Sequence, residues 1–209
     1  MKNANANANV SLRLVLFVAF AALTLAAPLS IILKYESALH LGALHKFRTQ
    51  PIDPVDAFRG RYVTLSFADD FVADGGRVDK FSINNELNGF LYVRLKRDAE
   101  GFAVPASVSR EPLSGNDVVT VDDAYRRDNG WRLSYPFDRY YLPEDIAPLA
   151  EQLYRDANRP APPRATAKTD TYVAVRVRNG VGVIEELYIN GLPVREAVRA
   201  RMQEQKQRK

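Results

Sequence analysis

Asp53, Asp56 and Arg59 follow one another at three-residue intervals in "QPIDPVDAFRGRYVTLSF", residues 50–67. Two carboxylates at that spacing beside a guanidinium could do general acid–base chemistry. The same letters also spell the start of a helical turn. Asp53 can cap, Pro54 suits the first helical position, and Asp56, three residues after the cap, reaches back to a free N–H. Gly60 supplies the left-handed residue that ends such a turn, and Arg59 then pairs with one of the aspartates. A carboxylate pair inside a turn is far more often a cap than a dyad, so the capping reading is preferred. The alternative is a membrane-tethered hydrolase using Asp53, Asp56 or a Ser–Lys pair.

The remaining chemistry-bearing residues are sparse. His40 and His45 are five apart in a segment expected to be helical, about 140° from each other around the axis, and the chain has no cysteine. No metal site is expected, and both histidines are read as facing solvent or headgroups. No serine sits in a nucleophile-elbow motif and no glycine-rich loop is built to cradle phosphate; "DGG" at residues 74–76 is read as a loop. No cofactor and no enzymatic activity are therefore expected. The aromatics of "YPFDRYY" (Tyr135, Phe137, Tyr140, Tyr141) are read as strand and core packing, with a groove as the alternative.

Charge patterning argues against nucleic acid as the partner. The formal net charge is +4, and residues 195–209 hold six Lys/Arg against two Glu, so the rest of the chain balances to zero. A basic tail of this kind is a solubility or membrane-surface feature rather than a nucleic-acid reader.

The elements that must position these residues begin with "LVLFVAFAALTLAAPLSIIL", residues 14–33, which carries no charge. Twenty residues at about 1.5 Å each span roughly 30 Å, the thickness of a hydrocarbon core. A cleavable signal has a shorter apolar stretch; Thr24 and Ala26 form only a weak cleavage pair, and cleavage after Ala27 would put Pro28 at a disfavoured position, so an uncleaved anchor in the lipid bilayer is preferred. Lys2 and Arg13 precede the span and Lys34, Lys46 and Arg48 follow it, so the charge count does not orient it. A short tail, one anchor and a long domain place the domain outside the cytoplasm.

Residues 1–13 are a short polar tail, and residues 34–49 are expected to prolong the anchor as a juxtamembrane helical stalk that Pro51 stops. Residues 50–194 form one domain, mostly β with one packed helix, and residues 195–209 a basic tail. The fold class expected is α+β, mainly β: a small β-barrel or sandwich. Val63, Leu65 and Phe67 alternate with Tyr62, Thr64 and Ser66; residues 89–110 read as a hairpin in which Pro105 marks an edge or a bulge. "DVVTVD" and "WRLSY" are shorter strands. Residues 172–189 read as a hairpin turning at Asn179 and Gly180, both with positive φ, and Asn190 and Gly191 close its second strand. Residues 146–157 read as a helix capped by Asp145, with Pro148 in its first turn.

The segment "PIDPVDAFRGRYVTLSF" resembles the signature of the GDYXXLXY family of bacterial membrane-anchored proteins. Asp53, Pro54, Asp56, Arg59, Gly60, Tyr62 and Leu65 match it; Arg61 stands where the naming aspartate would be, and Phe67 replaces the final tyrosine. The likeness extends to "RYYLPE", residues 139–144, and to residues 175–194. The family has no established activity, and its members accompany multi-pass membrane proteins. The resemblance therefore implies a bacterial inner-membrane protein with a periplasmic domain acting as a binding or accessory module for an envelope or multi-pass partner. The matching residues are its contact candidates, Tyr62 standing on the face opposite Leu65 and Phe67. The charge reversal at Arg61 means either that this position is not catalytic in the family, the preferred reading, or that this member has lost the activity.

Overall fold

A computed structural model describes residues 2–50, 62–73, 77–78, 90–127, 129–159 and 171–208. It divides into two units, Met1–Ser37 and Ala38–Lys209. Helix α1 runs Lys2–Leu41, and its stretch Arg13–Leu41 is long and apolar enough to cross a membrane, with a mean hydropathy of 2.5 and none of its most apolar window buried by protein. A helix apolar on every side has no core-facing stripe, as expected for a lipid-exposed segment. Two of its hydroxyls are satisfied within the helix: Thr24 Oγ1 donates to the Phe20 carbonyl at 2.8 Å and Ser30 Oγ to that of Ala27 at 2.7 Å.

The expected helical stalk over residues 34–49 is corrected by the fold. The helix stops at Leu41, and Ala43–Arg48 is a strand, β1. Gly42 makes the break: its N–H donates to the Ala38 carbonyl at 2.9 Å, and a Cβ there would lie 2.3 Å from that oxygen. Pairing then overrides helix propensity, because all six residues of β1 align antiparallel with β11, Tyr172–Arg178.

The second unit is mainly antiparallel β, in four sheets among the described residues. β1 and β11 continue through β12, Val181–Ile189, to the short β13, Leu192–Pro193. β5 (Leu91–Arg97) pairs with β6 (Ala103–Ser109) and β7 (Val118–Val121), and β4 (Arg77–Val78) joins β6 in parallel. β9 (Gly130–Ser134) lies between β3 (Phe71–Ala73) and β8 (Asp123–Arg127), and β2 (Tyr62–Thr64) pairs with β10 (Arg139–Tyr141). None of these sheets closes into a barrel, so the sandwich-like form of the expected α+β fold is the one consistent with the structure.

Both expected hairpins are present. The β5–β6 register slips between Arg94 and Leu95, opposite Ser107 and Pro105, so Pro105 does mark a bulge. The β11–β12 turn holds Asn179 at φ +46 and Gly180 at φ +86, the geometry that suits the right-handed twist of the flanking strands.

Two helices pack on the sheets. α2, Ala147–Asn158, buries Ala147, Ala150, Tyr154 and Ala157, with proline in its first turn as expected. Its cap position is Ile146 without a side-chain bond, so the proposed Asp145 cap is corrected: the turn at 143–146 instead closes through the backbone, the N–H groups of Ile146 and Ala147 donating to the Pro143 carbonyl. The basic tail is also corrected. It forms α3, Val194–Gln207, whose Val194 and Val198 are fully buried in the common core while its cations face outward. An amphipathic stripe explains both properties of that segment.

The core draws its residues from almost every element, including Phe47, Val63, Leu91, Val93, Val119, Val173, Val175, Leu187 and Ile189, each at most 2 % exposed. At its centre Phe47, Phe67, Tyr135 and Phe137 form an aromatic box. Phe47 meets the other three edge-on at 5.1–5.8 Å, and Tyr135 stacks on Phe137.

Candidate functional site

Of the signature residues, Tyr62 and Leu65 are described; Asp53, Pro54, Asp56, Arg59 and Gly60 lie outside the described residues. The period-two reading of the strand holds. Val63, Leu65 and Phe67 are buried, and Tyr62, Thr64 and Ser66 turn the other way. Beyond Thr64 the inward half is held by irregular bonds, from the Leu65 N–H to the Asp138 carbonyl at 2.7 Å and from the Gln50 N–H to that of Ser66 at 2.9 Å.

Pairing with β10 decides what surrounds Tyr62. The register sets Tyr62 opposite Tyr141 and Thr64 opposite Arg139, so all four side chains share the outer face. The two tyrosine rings lie 5.6 Å apart at 59°, and the Arg139 guanidinium sits 5.3 Å from the Tyr62 ring. Tyr141 is 66 % exposed, Tyr62 and Arg139 less so. Exposed tyrosine beside arginine is the composition enriched where proteins bind one another. The outer face of this two-stranded ribbon is the candidate site.

Tyr140 turns the other way, and its hydroxyl donates to Glu186 Oε1 at 2.8 Å. Burial first, and then the adjacent carboxylate, hold its proton well above the usual tyrosine range; Arg195 opposes both. Tyr140 thus ties the ribbon to β12 and the start of α3. The reading of "YPFDRYY" as core packing fits Tyr135 and Phe137, while Tyr141 belongs to the surface.

A second polar centre lies at the end of β1. Arg48 Nη1 donates to Asp69 at 3.0 Å, and Nη2 to Asp98 and to Glu100, the latter at 3.0 Å; the guanidinium lies 4.0 Å from the Phe102 ring. Burial opposes the charge on Arg48, but the hydrogen bonds to Asp98, Glu100 and Asp69 outweigh it and hold the guanidinium well above its usual range. Burial would raise the Asp98 carboxyl, yet the Arg48 bond and the N–H groups of Phe102 and Glu100 hold it below the usual carboxylate range. One guanidinium bonding three carboxylates at once makes the arrangement a clamp that joins β1 to the β5–β6 turn. Nothing local in the sequence announced it, since the carboxylates come 21, 50 and 52 residues after the arginine.

The histidines part company. His40 lies on α1, but His45 is buried on β1 with Phe47, against the expectation of a solvent or headgroup position. Among the described residues no three His, Cys, Asp or Glu side chains are grouped to hold a metal.

Neither the curated proteins nor the solved structures contain a match to this chain. The family model described as GDYXXLXY protein matches residues 24–187, from within the apolar helix to β12. That span takes in the ribbon, the aromatic box and the Arg48 clamp and is most of the chain, which belongs to the GDYXXLXY family.

Proposed function

We propose that the protein is a single-pass, membrane-anchored accessory module whose β domain binds an envelope or multi-pass membrane partner and catalyses nothing itself. The observation that carries this reading is the outer face of the β2–β10 ribbon. There the signature residue Tyr62 is sandwiched between Arg139 and the exposed Tyr141 instead of contributing to the core. A signature residue on the outer face of the ribbon rather than in the core supports contact with another molecule. The apolar helix supports the anchoring, and a long domain after that span supports an inner-membrane protein with its domain in the periplasm.

The test is co-purification of the full-length protein from gently solubilised native membranes, beside a Tyr62→Ala/Tyr141→Ala variant. Neither substituted side chain belongs to the buried core, and the unfolding midpoint of the variant is measured beside that of the parent to show that it folds. A stoichiometric, identified membrane protein that accompanies the parent and is absent with the variant is the expected result. The same partner at the same stoichiometry with both proteins overturns the assignment of this surface. Absence of any partner overturns the accessory role.

A further inference from the structure

His45 occupies an unusual position for a histidine in a protein with only two. It is 7 % exposed, and its Nε2–H donates to the Asn116 carbonyl at 2.8 Å. A carbonyl can only accept, so Nε2 carries the proton and Nδ1 is bare; Nδ1 is buried and has no hydrogen-bond partner. The residue it holds belongs to the loop 115–117, on which two other elements converge. From β5, the Leu95 N–H donates to the Asp117 carbonyl at 2.7 Å and Arg94 Nη1 to the Asp117 carboxylate at 2.6 Å. From the β11–β12 turn, the Asn179 N–H donates to the Gly115 carbonyl at 2.8 Å, and the Gly115 N–H returns a bond to Asn179 Oδ1 at 3.1 Å. Into β7, the Gly180 N–H reaches the Val118 carbonyl at 3.0 Å. Gly115 itself sits at φ +139, so the loop has a backbone shape that few other residues adopt.

We propose that His45 is a proton-sensitive latch: neutral, it fastens the first strand after the membrane helix to the junction of β5, β7 and the last hairpin; protonated, it releases loop 115–117. The physical reason is the bare Nδ1. A second proton there makes a buried cation whose new N–H has no acceptor, a penalty that a local opening relieves. The charged groups acting on the ring are Arg97 from β5, which opposes protonation, and Asp117 from the loop, which favours it but is already bonded to Arg94. From β11 the residue across the register is the apolar Val175. Burial is the largest influence and lowers the ring below its ordinary value of about 6.5, outweighing the Asn116 carbonyl, whose bond from Nε2–H is also present in the cation and favours it. The sign follows. An open loop binds the proton more readily than the closed one, so the latch is fully closed above the ordinary value and weakens as the pH falls towards the lowered one.

The test uses the full-length protein in lipid nanodiscs. Histidine ring carbons are followed by NMR through a titration, with His40→Gln assigning the second signal. Amide hydrogen exchange over residues 110–120 and 175–184 is measured at about pH 7.5 and about pH 5 and corrected for intrinsic rates. The ring signal of His45 is expected to titrate below the ordinary value. Exchange in both segments is expected to rise by about tenfold for each unit of that displacement. His45→Gln, which can still donate to the Asn116 carbonyl, removes most of the rise without changing exchange at the higher pH. An undisplaced His45 titration overturns the latch. A rise that persists in His45→Gln overturns it as well. Should the glutamine variant misfold, the parent alone still decides, because displacement and exchange must agree in magnitude.

Discussion

Gly182, on β12, offers a sharp test of how the core is assembled. Its backbone needs no positive φ, so conformation does not explain the glycine. Space does: a Cβ there would lie 2.6 Å from both Cδ1 and Cε1 of Phe137 and 3.4 Å from Val175 Cγ1. Carbon atoms pack best at about 3.5–4.0 Å, so the ring would have to retreat by roughly 1 Å. It has nowhere to go, being stacked on Tyr135 and edge-on to Phe47 and Phe67 at 5.1–5.5 Å. Overpacking of this kind costs about 1–3 kcal/mol. Replacing a strand glycine by alanine returns roughly 0.5–1 kcal/mol of backbone entropy, so Gly182→Ala should destabilise by about 1–2 kcal/mol net.

Phe137→Val removes both clashing atoms and costs about 3 kcal/mol on its own as a large-to-small change. In that background Gly182→Ala should be neutral or stabilising by up to about 1 kcal/mol, giving a coupling of roughly 2 kcal/mol between the two sites. Urea unfolding followed by fluorescence reads this directly, because Trp131 is the only tryptophan and is 4 % exposed within the β unit. Additive effects, within about 0.5 kcal/mol, would refute the ring-on-backbone contact.

Two further outcomes follow from the packing and the charges. Val198→Ser should cost about 2–3 kcal/mol by the same fluorescence assay, whereas Arg199→Gln, on the exposed face of α3, should stay within about 0.5 kcal/mol; a silent Val198→Ser would mean that residues 195–209 do not dock. The lowered Asp98 carboxyl makes the Arg48 clamp pH-dependent: its contribution is present above the unfolded value of about 3.9 and is lost as the pH falls through the lower folded one. Arg48→Met should therefore be less stable than the parent at neutral pH, and the gap should narrow in acid. A constant gap from pH 7 to pH 3, measured by Trp131 fluorescence, would show that Asp98 is not held by Arg48.

Much of the architecture was legible in the residues because its causes are local. A run of 20 uncharged, mostly apolar residues long enough to cross a membrane can be read from composition alone. Asn179 followed by Gly180 turns a hairpin because both adopt positive φ cheaply, and alternation assigned Leu65 inward and Tyr62 outward. The resemblance carried by residues 50–67 was likewise legible, and the family match covers residues 24–187.

What the tertiary structure alone decided are the pairings across long stretches of chain. Residues 43–48 have the letters of a helix, but β11, some 130 positions later, supplies six partners and makes them a strand. Residues 195–208 look like a solvated basic tail until the core offers Val198 a place to be buried beside Val194. Tyr141 and Arg139 flank Tyr62 only because β10 meets β2 in one register, and a shift of one residue would have turned Tyr140 outward in their place. Local propensity and periodicity are written residue by residue; register, ion-pair partners and burial depend on which distant segments meet, and only the folded chain brings those together.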